Sequence, residues 1–97
     1  MNIRLAARLD EVANLLEQNG DAHWADWLRK DSKELMVGNI KGAEHFLSAF
    51  GGMGSISDYY GILGPNKPEE EKSIDEKIAD RLYAAAEIAA RLIRDQK

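Results

Sequence analysis

The sequence predicts an all-α fold: an irregular bundle of four to five helices, with a Gly-rich turn near its middle and a long C-terminal helix. Three observations carry this expectation. Apolar residues recur at steps of three and four wherever a segment is long enough to show a period, which is the spacing of a helix face. No stretch alternates apolar and polar residues for long enough to suggest a strand. Glycines and prolines punctuate the chain between the periodic segments, mostly in short connections that favour packing of neighbouring helices. With 97 residues, the chain has room for one domain, taken as residues 1–97.

The elements follow in order. From Asn2 to Gln18, Leu5, Leu9, Val12 and Leu16 form one apolar stripe, and Asn19-Gly20 ends it with glycine at the left-handed cap position. Asp21 is placed to cap a second helix. That helix carries Trp24, Ala25 and Leu28 on one face, with Trp27 at the edge of the stripe, and runs to about Met36. Val37-Gly38-Asn39 breaks it. A third helix spans about Ile40 to Ala49, with Ile40, Ala43, Phe46, Leu47 and Phe50 at helical spacing. Gly42 inside it costs up to ~1 kcal/mol against alanine, so it marks a close helix contact.

Gly51-Gly52-Met53-Gly54-Ser55 then forms a tight turn that reverses the third helix, with Met53 plugged into the core. Ser55 or Ser57 caps a short helical segment around Asp58-Tyr59-Tyr60. Gly61 and Gly64-Pro65-Asn66-Lys67-Pro68 make the one long loop. Ser73 and Glu76 form a capping box for the last helix, whose stripe is Ile78, Leu82, Ala85, Ala86, Ala89, Leu92 and Ile93. An earlier start at Pro68, with Glu69, Glu70 and Glu71 in the first turn, is the alternative.

Composition narrows function by exclusion. A hydrophobic fraction of 44% and a charged fraction of 31% are ordinary for a globular chain and argue against disorder. There are no cysteines, so disulfides, thiol catalysis and cysteine-held metals are out. Arg8 and Asp10 interrupt any apolar run at the N-terminus, and no stretch approaches ~18 apolar residues. These points give the expectation of a soluble, cytoplasmic protein without a membrane partner. A net charge of −4 argues against direct nucleic-acid binding, which needs a basic field.

No catalytic, cofactor or metal constellation is expected. The Gly-rich turn is neither a P-loop nor a dinucleotide fingerprint. His23 and His45 are the two histidines; they stand far apart without a His-Glu-x-x-His context, and neither is expected to hold a metal or transfer protons. Ser48, Ser55, Ser57 and Ser73 lack a nucleophile-elbow setting. Trp24 and Trp27 are taken as packing residues, and Asp58 as an Asx-type support for the turn. The densest acidic segment is Glu69, Glu70 and Glu71 followed by Asp75 and Glu76. With Tyr59 and Tyr60 just upstream supplying aromatic area, these seven residues form the candidate partner-binding surface.

The segment from Phe50 through Gly51, Gly52, Met53, Gly54 and Ser55 to Asp58 resembles a motif of a family of small bacterial helical proteins of unassigned function. Leu15-Leu16, Gly20, Trp24, Ala25, Trp27, Leu28 and Phe46-Leu47 fit the same pattern, and the resemblance covers roughly Leu5 to Asp58. Members of that family resemble immunity proteins found beside polymorphic toxins, including those of contact-dependent growth inhibition. The resemblance implies a cytoplasmic, non-enzymatic inhibitor that binds a cognate toxin domain one to one. The toxin would be a nuclease, with a ribonuclease as the leading case, blocked by occlusion of its active site or substrate groove. The alternative is a small regulatory or adaptor protein, homodimeric through Ala84, Ala85, Ala86, Ala89 and Ala90 of the last helix.

Overall fold

Two helix-ending glycines shape the first half of the molecule. The computed structural model describes residues 2–50, 54–60 and 68–96, with Ser57 and Asp58 described in backbone only. Helix α1 is Asn2–Gln18 and α2 is Ala22–Met36. At the end of α1, Gly20 N–H bonds to Glu17 C=O at 3.0 Å and Asp21 N–H to Leu16 C=O at 2.9 Å. At the end of α2, Gly38 N–H bonds to Leu35 C=O at 3.0 Å and Asn39 N–H to Glu34 C=O at 2.9 Å. Both are Schellman motifs, and both put the glycine in the left-handed region, at φ 78° and 82°, where a Cβ would be strained. The sequence expectation for Gly20 is met.

Asp21 caps α2 as expected, its Oδ1 accepting from Trp24 N–H at 3.3 Å. The two helices then lie antiparallel. Ser32 Oγ donates to Ala6 C=O at 3.2 Å, a buried hydroxyl satisfied across the helix pair.

Helix α3 is Lys41–Leu47 and α4 is Ile56–Tyr60. The third helix is shorter than the sequence suggests, because Ala49 N–H and Phe50 N–H turn back to the i−3 carbonyls of Phe46 and Leu47, a tightened last turn. Ile56 N–H donates to Ala49 C=O at 2.9 Å, which ties together the two sides of the Gly-rich turn. Gly51, Gly52 and Met53 lie outside the described residues, so the plug expected of Met53 does too, as does the loop of residues 61–67.

The region after Pro68 resolves the two starts left open by the sequence. Glu69–Glu71 form a single 3-10 turn, Lys72 is extended at ψ 139°, and α5 runs Ile74–Arg94. Both halves of the capping box are made: Glu76 N–H donates to Ser73 Oγ at 3.2 Å, and Ser73 N–H to Glu76 Oε1 at 3.1 Å. Such a cap contributes about 1 kcal/mol and fixes the start of the helix at Ser73.

The apolar stripes meet in one core. Leu5, Leu9, Val12 and Leu16 of α1, Leu28 of α2, Phe46 of α3, Ile56 of α4 and Ile78 of α5 are fully buried. Trp24 is buried, and Trp27 is half-buried against the same cluster. Phe50 packs edge-on against Phe46 with ring centroids 5.4 Å apart. Ala85 and Ala89 also lie in the core, while Ala84 and Ala90 are exposed. The fold is all-α with a long C-terminal helix, and no strand occurs among the described residues. No helix in these residues is long and apolar enough to cross a membrane.

Candidate functional site

The expected partner-binding residues divide into those that hold the bundle together and those that face outward. Tyr60 is a correction to the sequence reading. It is 7% exposed, and its hydroxyl donates to Asp21 Oδ2 at 2.8 Å while accepting from Asn19 Nδ2 at 3.4 Å. Burial, followed by donation to the Asp21 carboxylate, pushes its phenol up to about 12. Asn19 Nδ2 also donates to Asp75 Oδ1 at 3.0 Å, so the α1–α2 turn, α4 and the start of α5 are joined through one asparagine. Tyr60 and Asp75 therefore serve as fasteners, and Glu76 is committed to the capping box.

Glu69 is likewise engaged. The Arg81 guanidinium bonds to it and holds its carboxyl below the usual range. Arg81 also pairs with Glu11 of α1 at 3.2 Å, and Lys72 pairs with Asp80. Glu69 and Asp75 are exposed but paired; Tyr59, 65% exposed, faces outward with Glu70 and Glu71, whose side chains make no hydrogen bond or ion pair among the described residues.

Of the other positions singled out in the sequence, Trp24 and Trp27 are packing residues, as expected. Gly54 is exposed and Ser55 is buried at the start of α4. The role expected of the Asp58 side chain lies outside what is described.

A second site was not anticipated. Between α2 and α3 lies a groove of about 340 Å³ lined by Lys30, Asp31, Glu34, Asn39, Lys41 and His45. Its floor is Asp31, 1% exposed, whose Oδ1 lies 2.5 Å from His45 Nδ1. Burial raises the Asp31 pKa above the ordinary carboxylate value, opposed mainly by the hydrogen bond to His45. The other oxygen, Oδ2, is buried without a hydrogen-bond partner. His45 is stacked on Trp27, with ring centroids 4.3 Å apart and planes 11° from parallel, and its side chain is 46% exposed. With Nδ1 taken by Asp31, Nε2 is the ring nitrogen left for chemistry.

Gly42 makes this arrangement sterically feasible. A Cβ there would lie 2.7 Å from Asp31 C=O and 3.0 Å from both Glu34 Cβ and Leu35 Cγ. Its absence lets α3 ride close on α2 and sets His45, one turn on, above the Asp31 carboxylate. The close contact expected of Gly42 is real. The sequence held a further signal: Asp31 falls on the buried stripe of α2, three residues after Leu28 and four before Leu35. A charged residue on a core face calls for a partner. Among the described residues, no group of three or more His, Cys, Asp or Glu could hold a metal ion.

Residues 17–62 match the model of a family described as a domain of unknown function (DUF6966). The matched stretch contains all of the α2–α3 groove, together with Tyr59 and Tyr60, and leaves out Glu69–Glu71 and α5. No curated protein and no solved structure matches the chain.

Proposed function

We propose that this protein is a binding inhibitor, an immunity protein that neutralises a bacterial toxin domain by covering its substrate groove. The observation that carries the reading is the outward-facing set of Tyr59, Glu70 and Glu71. A tyrosine 65% exposed offers a large, stiff contact surface. The two glutamates have no counter-ion within the described residues, so their charge is available to a partner. A nuclease groove is basic because it holds phosphates, and exposed carboxylates together with an exposed aromatic ring suit it in charge and contact chemistry. Such complementarity also speeds encounter. The net charge of −4 and the resemblance to immunity proteins support the same reading.

Of the seven residues the sequence suggests, Tyr60 is buried, while Glu69, Asp75 and Glu76 already hold partners within the chain, so Tyr59, Glu70 and Glu71 are the ones to vary first. The test is rescue of cells expressing a nuclease domain encoded beside this protein's gene; a neighbourhood with no such domain would count against the reading. Wild-type protein is expected to restore growth. The triple variant Y59A/E70K/E71K is expected to lose rescue while melting at an unchanged temperature, because none of the three supports the bundle. Growth arrest that persists with wild-type protein would remove the inhibitor reading. Full rescue by the triple variant would move the interface elsewhere.

A further inference from the structure

We propose that the α2–α3 groove binds a phosphate group, carried as a small phosphomonoester, with His45 Nε2 as its central contact. This site is separate from the Tyr59–Glu70–Glu71 surface and does not depend on the toxin-binding reading. The argument starts from the imidazole. Asp31 holds Nδ1 at 2.5 Å and Trp27 holds one ring face at 4.3 Å, so an exposed side chain that would ordinarily sample several rotamers is fixed. The entropy of ordering it is already spent before any ligand arrives. A carboxylate behind an imidazole also settles which nitrogen is presented, since Nδ1 is occupied and Nε2 is left to face the groove.

The surroundings of Nε2 select the ligand. Lys30 and Lys41 line the same groove, so with His45 three basic side chains border it. Of the two carboxylates there, Asp31 is screened from solvent, with a side chain 2% exposed; His45 answers its Oδ1, and Oδ2 is buried. Glu34 is exposed and bonds to Asn39 Nδ2 at 2.6 Å, keeping its charge at the rim. The two lysines and the imidazole outnumber that one exposed carboxylate. A phosphomonoester carries about −1.5 to −2 charges at neutral pH and three acceptor oxygens, which suits two ammonium groups and an imidazole better than a singly charged carboxylate does. Whichever of ring and phosphate holds the proton between them, the Nε2–oxygen contact is a charge-assisted hydrogen bond. A groove of about 340 Å³ holds more than the bare anion, so an ester should bind better than inorganic phosphate.

The experiment follows the imidazole resonances of the two histidines by ¹H–¹⁵N NMR during titration of the intact chain. The probes are glycerol 3-phosphate, inorganic phosphate and acetate. His23 lies on α2 outside the groove but near Trp27, at 6.3 Å between ring centroids, so it reports any change passed on through that ring. The expected result is a saturating shift of His45 several times larger than that of His23. Glycerol 3-phosphate should bind more tightly than inorganic phosphate, and acetate at least about tenfold more weakly than the ester. The K30A/K41A variant, which alters only exposed side chains, should weaken the ester by about tenfold.

Glu34→Gln separates an anion site from a cation site. Removing this rim charge should tighten the ester by about two- to fivefold. Weaker ester binding in E34Q, a shift of His23 as large as that of His45, or no saturation of His45 with any phosphate would overturn the proposal.

Discussion

Tyr60 reaches Asp21 across the α1–α2 turn with a neutral hydroxyl, whereas His45 reaches Asp31 across the α2–α3 groove with a ring that can carry charge. In the first joint the carboxylate is half-buried at the surface and the buried group is the phenol. In the second the carboxylate is buried and its partner is half in solvent. A surface carboxylate stays hydrated, so the first joint can be satisfied locally and acts as a fastener. A buried carboxylate depends on its partner, and here one oxygen has none, so the second joint retains unused hydrogen-bonding capacity beside an accessible nitrogen. Both joints connect helices, but only the His45 joint leaves a reactive group facing outward.

The largest expected effect tests how the groove is made. Helix propensity alone says Gly42→Ala should stabilise the protein by up to ~1 kcal/mol. The structure reverses that sign. The new Cβ would lie 2.7 Å from Asp31 C=O, a backbone atom that cannot swing away, and overpacking of this kind costs about 1–3 kcal/mol. Urea unfolding of the G42A variant should show a lower midpoint than wild type. A raised midpoint would mean that α3 does not ride on α2 as closely as described.

That reversal also shows how much was legible in the sequence. Local chemistry was readable: Gly20 ending α1, Asp21 capping α2, and the Ser73–Glu76 box opening α5 each depend on residues within one turn of one another. The Pro68 start remained open because proline and three glutamates suit the first turn of any helix. The extended Lys72 and the capping box decide it. The Asp31–His45 pair was not read because it joins two helices across fourteen residues and has no fixed spacing. Its traces were a charged residue on a core stripe and a glycine inside a helix. Each looked minor until the two helices were set together. The burial of Tyr60 is hidden in the sequence for a related reason, since its partners Asn19 and Asp21 lie some forty residues upstream.

The second test asks which influence dominates at Asp31. Burial raises its pKa in the folded state. The stability tied to that shift is therefore fully present below the unfolded value near 3.8 and is lost as pH rises through the folded value, because the folded chain binds more protons in that window. Asp31→Asn has no such titration. Measured by urea unfolding at pH 4 and pH 7, the Asn variant should gain on wild type as pH rises. A gain by wild type over the same interval would mean that the His45 contact outweighs desolvation.

The smallest effect belongs to the Tyr60 joint. Tyr60→Phe removes one hydroxyl that donates to Asp21, worth about 0.5–1.5 kcal/mol, and leaves the ring in the core. Asp21 keeps its capping bond to Trp24 N–H, so the loss should sit at the low end. Alkaline titration gives the sharper readout. Tyr60, with its phenol pushed up to about 12, should ionise well after an ordinary tyrosine near 10, as a late step in phenolate absorbance. The sign follows from linkage: the neutral phenol is the form the fold favours, so its contribution is intact below about pH 10 and declines as pH climbs toward 12. Y60F should lack both the late step and that part of the alkaline loss of stability. A wild-type titration in which every tyrosine ionises together near 10 would show that the hydroxyl is open to water, and Tyr60 would return to the partner-binding surface beside Tyr59.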